Sequence, residues 1–416
     1  MLRLINLAWQ QWFWWRIEKR IYPLPPRFRI GSSHGYLKSL VASALLTHGG
    51  PGILRRNKAT TNSHRRCDWM LVGSTVVLSL WGIFHLYTIS FPHQAYYFIR
   101  QTMWVGMGMG LLFLFSSLKP SFWEKASYSL YGIFSLILIL VLVIGEGTHG
   151  AQRWLRVGMF SFQPSEFIKL GLILVLAKIL ASGEGISWVK LGLSFSLTLL
   201  PLVLIVLQPD MGTALILLPL WLGMLFLAGA SLKKMAVILG AGISLFPLSF
   251  FLLRPYQKMR IITFLNPQRD PLGAGWSSLQ SKVALGSGKL LGRGMGEALH
   301  TRLKFLPQPF TDFIFASLGE EWGFIGVLFL FTLYFIIILR GVKIAKETGS
   351  GFARLVSGGI VMLLFLQVFI NLGMVAGMMP VTGIPLPLMS YGGSSVLMFL
   401  TGIGILVSID KFGLKY

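Results

Sequence analysis

The 416-residue sequence contains a single cysteine, Cys67, and few charged side chains. One cysteine excludes an intramolecular disulfide and a cysteine-based metal cluster. Charged residues make up 12% of the chain, about half of the roughly 25% that is typical of soluble domains. Hydrophobic residues make up 54%, and the mean hydropathy is +0.70. A water-soluble core of this length cannot bury that much apolar surface, so the composition predicts an integral membrane protein.

Acidic residues are scarcer than basic ones, with 14 Asp and Glu against 37 Lys and Arg and a net charge of +23. A basic chain can bind nucleic acid, but here the basic residues stand in short runs between apolar segments, as in a membrane topology signal. We therefore expect no nucleic-acid partner. The seven histidines form no His-x-x-x-His pair, so we also expect no His-based transition-metal site.

Long apolar runs recur from residue 69 to residue 408. A bilayer core of about 30 Å requires roughly 20 apolar residues per helix. The predicted fold class is therefore all-α, a polytopic membrane protein with about ten transmembrane helices. The predicted spans are 69–90, 95–118, 127–145, 165–182, 187–208, 211–229, 235–253, 314–339, 354–378 and 385–408.

Basic residues in alternate short loops set the orientation. Lys119, Lys125, Lys233 and Lys234 lie in two such loops, and Lys411 follows the last span. This pattern predicts a cytoplasmic (inner) membrane protein with both termini in the cytoplasm. The region 254–313 then becomes one long extracytoplasmic loop, and its many Lys and Arg predict an anionic ligand.

Residues 1–66 differ in composition from the transmembrane domain predicted at 67–416. They form a basic, tryptophan-rich N-terminal extension with no evident cleavable signal peptide. Three interpretations stay open: an interfacial helix on the inner leaflet, a disordered tail, or a misassigned start codon. We assign this extension no function.

Ionisable residues inside spans are functional candidates, because each costs about 2.5–3.5 kcal/mol at mid-membrane. Glu166 and Lys169 share one helix face at i and i+3, which fits either a structural ion pair or a charged floor for a polar substrate. Asp210 fits a helix cap with or without a second role. The remaining candidates are Lys178, Lys190, Asp312, Glu320 and Glu321.

Asp312 lies where the long outer loop meets a span. It fits either a helix cap or a carboxylate that accepts a proton from an attacking hydroxyl. Glu320 and Glu321 are predicted to be structural, hydrogen-bonded between helices.

The glycine-rich stretch 286–296 is not a nucleotide-binding P-loop. Val283 and Leu290 occupy positions where that motif requires Gly and Ser or Thr. It fits either a plain mobile loop or a loop whose backbone N–H groups approach a pyrophosphate.

Eight segments spread over about 68–410 resemble the SEDS family (shape, elongation, division and sporulation proteins), in its RodA branch. They are Gly150-Ala151-Gln152-Arg153-Trp154-Leu155, Phe162-Gln163-Pro164-Ser165-Glu166 with Lys169, Gln208-Pro209-Asp210-Met211-Gly212-Thr213, Asp270-Pro271-Leu272-Gly273, Gln280-Ser281-Lys282, Gly286-Ser287-Gly288, Thr311-Asp312-Phe313-Ile314-Phe315, and Pro385-Leu386-Pro387 with Ser390-Tyr391-Gly392-Gly393-Ser394.

This resemblance implies a peptidoglycan glycosyltransferase that polymerises lipid II, a polyprenyl-pyrophosphate disaccharide-peptide, during cell elongation. It also implies a class B penicillin-binding protein as a transpeptidase partner. Asp312 matches the family's catalytic carboxylate. The residues that match other motif positions are predicted to bind substrate: Glu166, Lys169, Asp210, Arg153, Gln280, Lys282 and Ser287.

The chain departs from this family before the Thr-Asp pair. RodA-like sequences usually read Leu-Pro-Glu-Arg-His-Thr-Asp there, whereas this chain reads Leu306-Pro307-Gln308-Pro309-Phe310-Thr311-Asp312. The predicted cofactor is none, or a divalent cation (Mg²⁺ or Mn²⁺). Two alternative functions stay open: a transporter (flippase) for lipid II or another anionic lipid, and a non-catalytic scaffold that activates a partner synthase.

Overall fold

The computed structural model describes residues 67–90, 94–145, 153–157, 160–181, 185–252, 255–266, 274–303 and 305–413. The extension predicted at 1–66 lies outside the described residues. So do two parts of the family motifs, 150–152 and 270–273.

Each predicted span contains a helix. The elements in chain order are α1 (Trp69–Ser90), α2 (Tyr96–Ser116), α3 (Pro120–Ile144), β1 (Leu155–Val157), β2 (Phe160–Phe162), α4 (Pro164–Leu180), α5 (Trp188–Leu207), α6 (Met211–Leu227), α7 (Leu232–Leu252), α8 (Pro255–Leu265), α9 (Ala274–Ser287), α10 (Leu299–Arg302), α11 (Ile314–Glu347), α12 (Gly351–Val375) and α13 (Gly393–Phe412). The strands β1 and β2 pair antiparallel as a short hairpin. Seven of the described helices are long and apolar enough to cross a membrane, and α6 is an apolar helix of 17 residues.

The last span was predicted to begin at 385, and this boundary is wrong. Residues 380–392 contain no helix, and α13 begins at Gly393. Pro385 and Pro387 lack the backbone N–H that a helix requires. The apolar run therefore divides into a loop and a helix, and this loop becomes part of the candidate site.

The most buried element is α13, in which every residue from Gly393 to Asp410 is buried. A helix that is buried on all sides is expected at the centre of a bundle. It packs closely on α2, where a Cβ at Gly404 would lie 2.8 Å from the carbonyl oxygen of Leu112. Small residues at this contact allow the two backbones to approach.

Helix α7 is the opposite case. No residue from Leu232 to Leu245 is buried, and Val237, Ile243 and Leu245 are 58%, 73% and 60% exposed. This helix therefore stands away from the bundle formed by its neighbours.

Helix α11 is interrupted at Gly323, whose φ of +62° lies outside the helical region. A break frees carbonyl groups before it and N–H groups after it. Residues 288–296, which we call the glycine clasp, supply the missing partners. The four bonds run from Arg293 N to Glu320 O (3.0 Å), from Gly294 N to Glu321 O (3.2 Å), from Phe324 N to Lys289 O (2.9 Å) and from Ile325 N to Leu290 O (3.2 Å).

Backbone hydrogen bonds use several N–H groups of the glycine clasp. The N–H groups of Arg293 and Gly294 already donate to α11, and that of Gly296 donates to the Glu321 carboxylate at 2.8 Å. These three groups are therefore already paired within the protein, and an approach of the segment to a pyrophosphate stays a prediction. Gly292 has a φ of +82°, and a Cβ there would lie 2.0 Å from the carbonyl oxygen of Glu321. Glycine is required because the two backbones touch.

Candidate functional site

Asp312 lies directly before α11 and does not cap it. The N-cap of α11 is Phe313, and no side chain caps that helix, so the capping interpretation of Asp312 is wrong. The backbone around Asp312 is fixed from other elements. The Asn371 amide donates to the Asp312 carbonyl at 2.9 Å, and the Ser390 hydroxyl donates to the Thr311 carbonyl at 2.6 Å. These two hydrogen bonds fix the main chain at Thr311 and Asp312, and they do not involve the Asp312 carboxylate.

The environment of the Asp312 carboxyl group raises its pKa to about 6, and desolvation by burial is the main cause. Asp210 raises the pKa further, whereas Arg260 of α8 and the Thr311 hydroxyl lower it. Within the described part of the chain, no Lys or Arg forms an ion pair with Asp312. Near neutral pH this group is therefore a weakly compensated carboxylate, which is the condition expected of a proton acceptor.

The loop 380–392 forms a wall between Asp312 and the start of α6. A Cβ at Gly383 would lie 3.5 Å from the Asp312 carboxylate, and a Cβ at Gly212 would lie 2.5 Å from the carbonyl oxygen of Thr382. The Asn371 amide ties the two sides together, since it also donates to the Ile384 carbonyl at 2.7 Å. The loop therefore brings Asp312 towards the Asp210 motif.

Asp210 caps α6 and also holds a polar network. Its carboxylate accepts hydrogen bonds from the Thr213 N–H at 3.4 Å and the Thr213 hydroxyl at 2.9 Å. It also accepts from the Gln163 amide at 3.2 Å and the Ser165 hydroxyl at 3.4 Å. The helix-cap interpretation is thus confirmed, and the network adds side chains from the start of α4.

Arg153 orients the turn before α6. Its guanidinium donates to the Gln208 carbonyl at 3.1 Å and to the Pro209 carbonyl, and it lies 4.0 Å from the Asp210 carboxylate. Arg153 is one-third exposed. It therefore compensates part of the Asp210 charge from the solvent side.

Glu166 and Lys169 form the predicted ion pair on α4, with 2.8 Å between the ammonium and Oε1. Their side chains are 5% and 0% exposed. The second carboxylate oxygen of Glu166, Oε2, is buried and accepts no hydrogen bond from the described residues. A buried pair of this kind needs further polar partners to offset its desolvation, and Oε2 has none among the described residues.

The other three predicted residues, Gln280, Lys282 and Ser287, lie on α9. The Ser287 hydroxyl donates within its own helix to the Ala284 carbonyl at 2.8 Å. The exposed Lys282 side chain lies against Gly377, and Gln280 is half-buried. Among the described contacts, none joins these side chains to Asp210 or Asp312, so their roles stay predictions.

The altered residues before Thr311 build an aromatic group. Phe310 stacks on Tyr97 at 4.3 Å between ring centroids, and Tyr391 meets Tyr97 edge-on at 4.9 Å. The Phe310 carbonyl accepts from the Tyr391 N–H at 2.8 Å. Burial raises the pKa of Tyr391 to about 12, so its hydroxyl stays protonated. Phe310 thus anchors the segment that carries Asp312.

Sequence reasoning did not identify Asn371, Ser390 or Arg260 as site residues. Ser390 belongs to a motif that was recognised, and that motif was the available signal for it. Asn371 is a buried polar residue inside an apolar span, and a polar residue in that position is the sequence signal for it.

A comparison with known families supplies the decisive observation. The family described as cell cycle protein, which unites FtsW, RodA and SpoVE, matches residues 65–414. The chain belongs to the SEDS family. The prediction of that family is confirmed, and the match leaves out most of the N-terminal extension.

Individual SEDS relatives agree. The chain is 40% identical to "Peptidoglycan glycosyltransferase MrdB" of Escherichia coli K12 over 307 residues, which cover 73% of this chain and 83% of that protein. It is 31% identical to "Peptidoglycan glycosyltransferase RodA" of Treponema pallidum over 420 residues, covering 82% and 97%. The predicted enzyme class, peptidoglycan glycosyltransferase, is confirmed.

A solved structure confirms the all-helical, polytopic SEDS fold. That structure is described as "Structural coordination of polymerization and crosslinking by a peptidoglycan synthase complex". The match has a TM-score of 0.72 and 36% identity, and it covers 83% of this chain and 97% of that one.

Proposed function

We propose that this glycosyltransferase polymerises lipid II into glycan strands at the outer face of the cytoplasmic membrane during cell elongation, with Asp312 as the general base. The environment of Asp312 carries the proposal. Its pKa is raised to about 6 by burial, and its backbone is fixed from α12 and from the loop 380–392. Such a carboxylate is largely ionised at neutral pH yet basic enough to take a proton.

The reaction forms one C–O bond and breaks another. The 4-hydroxyl oxygen of the acceptor disaccharide attacks the anomeric carbon of the donor, and the bond from that carbon to the donor pyrophosphate breaks. The hydroxyl proton passes to the Asp312 carboxylate, and polyprenyl pyrophosphate leaves with the bonding electron pair. The activated donor supplies the driving force, which agrees with the lack of a P-loop motif in the sequence.

The leaving pyrophosphate gains negative charge, and cations stabilise such a transition state. Arg260 acts electrostatically on Asp312, which supports a role for its guanidinium near the reacting groups. Lys282 and Arg293 lie in the same basic region, 254–313. We assign these residues to the pyrophosphate as a group.

A divalent cation, Mg²⁺ or Mn²⁺, stays a prediction. Mg²⁺ is usually held by one or two carboxylates together with substrate phosphates. The described residues contain no group of three or more His, Cys, Asp or Glu that would hold an ion alone. Such an ion would be held mainly by the substrate pyrophosphate and would neutralise its charge, which leaves Asp312 available as the base.

The acceptor and donor sugars are assigned to the polar network around Asp210 and Glu166. Arg153 and Gln163 border Asp210, and the buried Oε2 of Glu166 lacks a described donor. The predicted partner is a class B penicillin-binding protein, because polymerised strands require cross-linking. The synthase complex named above for a solved relative is consistent with such a partner.

The test is polymerisation of purified lipid II by the full chain with its partner transpeptidase, comparing wild type with Asp312→Asn. We expect a loss of about 10²–10⁴-fold, the usual contribution of general base catalysis. Glu297→Gln is the matched control, since Glu297 is 64% exposed and pairs with Arg302 at 3.9 Å in the same outer region. Wild-type rates for a folded Asp312→Asn protein would refute the base assignment.

The same assay separates the two alternatives. A flippase would translocate lipid II without making polymer, and the polar network of Glu166, Lys169 and Asp210 is the observation that keeps this candidate. A non-catalytic scaffold would activate its partner equally well with Asn at position 312.

A further inference from the structure

An apolar groove of about 720 Å³ lies between α5, α6 and α7, away from the candidate site. This volume falls within the roughly 300–1,000 Å³ of ligand pockets. Every residue that lines it is apolar, from Leu191 to Leu202 on α5, from Leu218 to Leu222 on α6 and from Val237 to Leu245 on α7. The groove therefore fits a hydrocarbon chain.

The side chains of α7 do not fill the groove. No residue of that helix from Leu232 to Leu245 is buried. A Cβ at Gly242, which lines the groove, would meet no described atom within 4 Å. The groove is thus open space between helices rather than an imperfectly packed contact.

A second, basic pocket of about 510 Å³ lies where α5 and α7 begin and α6 ends. It is lined by Ser187 and Lys190 of the α5 start, Gly229 after α6, and Ser231 and Lys234 of the α7 start. Lys190 precedes the groove residue Leu191, and Lys234 stands one turn, about 5 Å, before Val237. The basic pocket is therefore the mouth of the groove.

Trp188 marks the depth of this mouth. It is 58% exposed at the first turn of α5, and the Lys234 ammonium lies 5.3 Å from the centre of its ring. Exposed Trp and Lys side chains collect at membrane interfaces. The mouth consequently lies at the level of lipid headgroups, and the groove extends to the level of acyl chains.

We propose that this groove binds an anionic phospholipid, with the phosphate at Lys190 and Lys234 and one acyl chain in the groove. The Lys234 ammonium donates to the Ile186 carbonyl, and an ammonium carries three donors, so a phosphate oxygen can also be bound. The orientation predicted from basic loops assigns the mouth to the inner leaflet, whose anionic lipids attract Lys and Arg.

The proposed lipid is distinct from the polymerised substrate. The mouth lies at the end of α6, whereas Asp210 lies at its start. The 17 residues of α6 separate the two by about 26 Å at 1.5 Å per residue. An anionic lipid here would fix α7, which joins α8 and Arg260, against the bundle.

The test measures which lipid stays bound to the full chain in native mass spectrometry. The purified protein is mixed with equal amounts of dioleoyl-phosphatidylglycerol and dioleoyl-phosphatidylcholine. We expect phosphatidylglycerol to be preferred, and K190Q/K234Q to weaken its binding about fivefold per lysine. The matched control is K178Q, since Lys178 also contacts a carbonyl (Glu124, 2.9 Å) and an aromatic ring (Tyr128, 4.3 Å).

A pair of glycine variants tests the acyl chain. Positions 240 and 242 both have open space for a larger side chain, but only Gly242 lines the groove. Gly242→Leu should lower the retention of phosphatidylglycerol at least threefold, and Gly240→Leu should leave it unchanged. Circular dichroism confirms that both variants fold. The proposal fails if both lipids bind equally, if K178Q matches K190Q/K234Q, if Gly242→Leu has no effect, or if polyprenyl phosphate displaces phosphatidylglycerol from the groove.

Discussion

Glu320 and Glu321 lie within ten residues of Asp312 in the sequence, but they have many more hydrogen-bond donors around their carboxylates. Glu320 accepts from the His300 N–H and ring nitrogen at 3.2 and 2.8 Å. Glu321 accepts from the Thr88 hydroxyl at 2.7 Å and contacts the His85 ring nitrogen at 3.0 Å. Asp312 has no such set of donors among the described residues, and its pKa is raised to about 6.

This contrast separates a structural acid from a reactive one. Donors from other segments fix the positions of the two glutamate side chains, whereas burial with few donors leaves Asp312 able to accept a proton. The two glutamates fasten the glycine clasp and α1 to the interrupted part of α11. Asp312, at the start of the same helix, is held through its backbone instead. A chain with only 14 acidic residues thus uses neighbouring ones for different purposes.

Removal of a partner from the structural group should have the largest effect on stability. His85→Ala leaves Glu321, a fully buried side chain, without its histidine, at a cost of roughly 2–5 kcal/mol. We expect a strongly lowered unfolding temperature in detergent. The control is Lys343→Ala, which breaks a half-exposed pair with Glu347 (3.7 Å) and should cost under about 1 kcal/mol. Equal shifts for the two variants would remove the distinction between buried and surface pairs.

Substitutions of glycines in the glycine clasp should cause the next largest loss of stability. Gly292→Ala adds a Cβ that would lie 2.0 Å from the Glu321 carbonyl at a φ of +82°, which should cost about 2–4 kcal/mol. Gly294→Ala has the same kind of backbone strain (φ +105°), but its Cβ would meet only the Glu297 side chain at 4.0 Å. It should cost about 1 kcal/mol. The two unfolding temperatures measure the close contact separately from the strain, and similar values would show that the contact relaxes freely.

The sequence allowed the local parts of the site to be predicted, and tertiary contacts produced the rest. The Glu166–Lys169 pair and the Asp210 cap follow from spacings of three residues. The Ser390–Thr311 bond joins residues 79 positions apart, and no local pattern specifies it. The break at Gly323 lies inside a predicted span, where periodicity predicts a continuous helix. The backbone groups that the break exposes are paired by the glycine clasp, which is distant in sequence.

The pH dependence of polymerisation should sharpen the contrast at Asp312. The general base must be ionised, so kcat should fall about tenfold per pH unit below about pH 6. The rate is measured at saturating lipid II from pH 4.5 to 8, with substrate binding followed separately. Glu320→Gln, where it folds, should retain the same profile, because Glu320 is not assigned to the reaction. A rate that stays flat down to pH 5 would mean that Asp312 does not titrate in the working range.

The smallest expected effect is a gain in stability on neutralising Asp312. Its pKa is raised from 3.8 to about 6 on folding, so between these values the folded state binds more protons than the unfolded state. Stability therefore falls as the pH rises through this window. Asp312→Asn avoids that loss and should be more stable by about 1 kcal/mol at pH 7.5, since partial exposure weakens the effect.

This gain should vanish near pH 4, where the wild-type carboxyl group is protonated in the folded state. Thermal unfolding of both proteins at the two pH values measures it. Asp68→Asn is the opposite control, because Asp68 pairs with Arg340 at 2.6 Å and its neutral variant should be less stable at pH 7.5. If Asp312→Asn were also destabilising at pH 7.5, Asp312 would belong with the structural carboxylates. If it stabilises the fold while abolishing polymerisation, the protein sacrifices stability at this position to keep a reactive group.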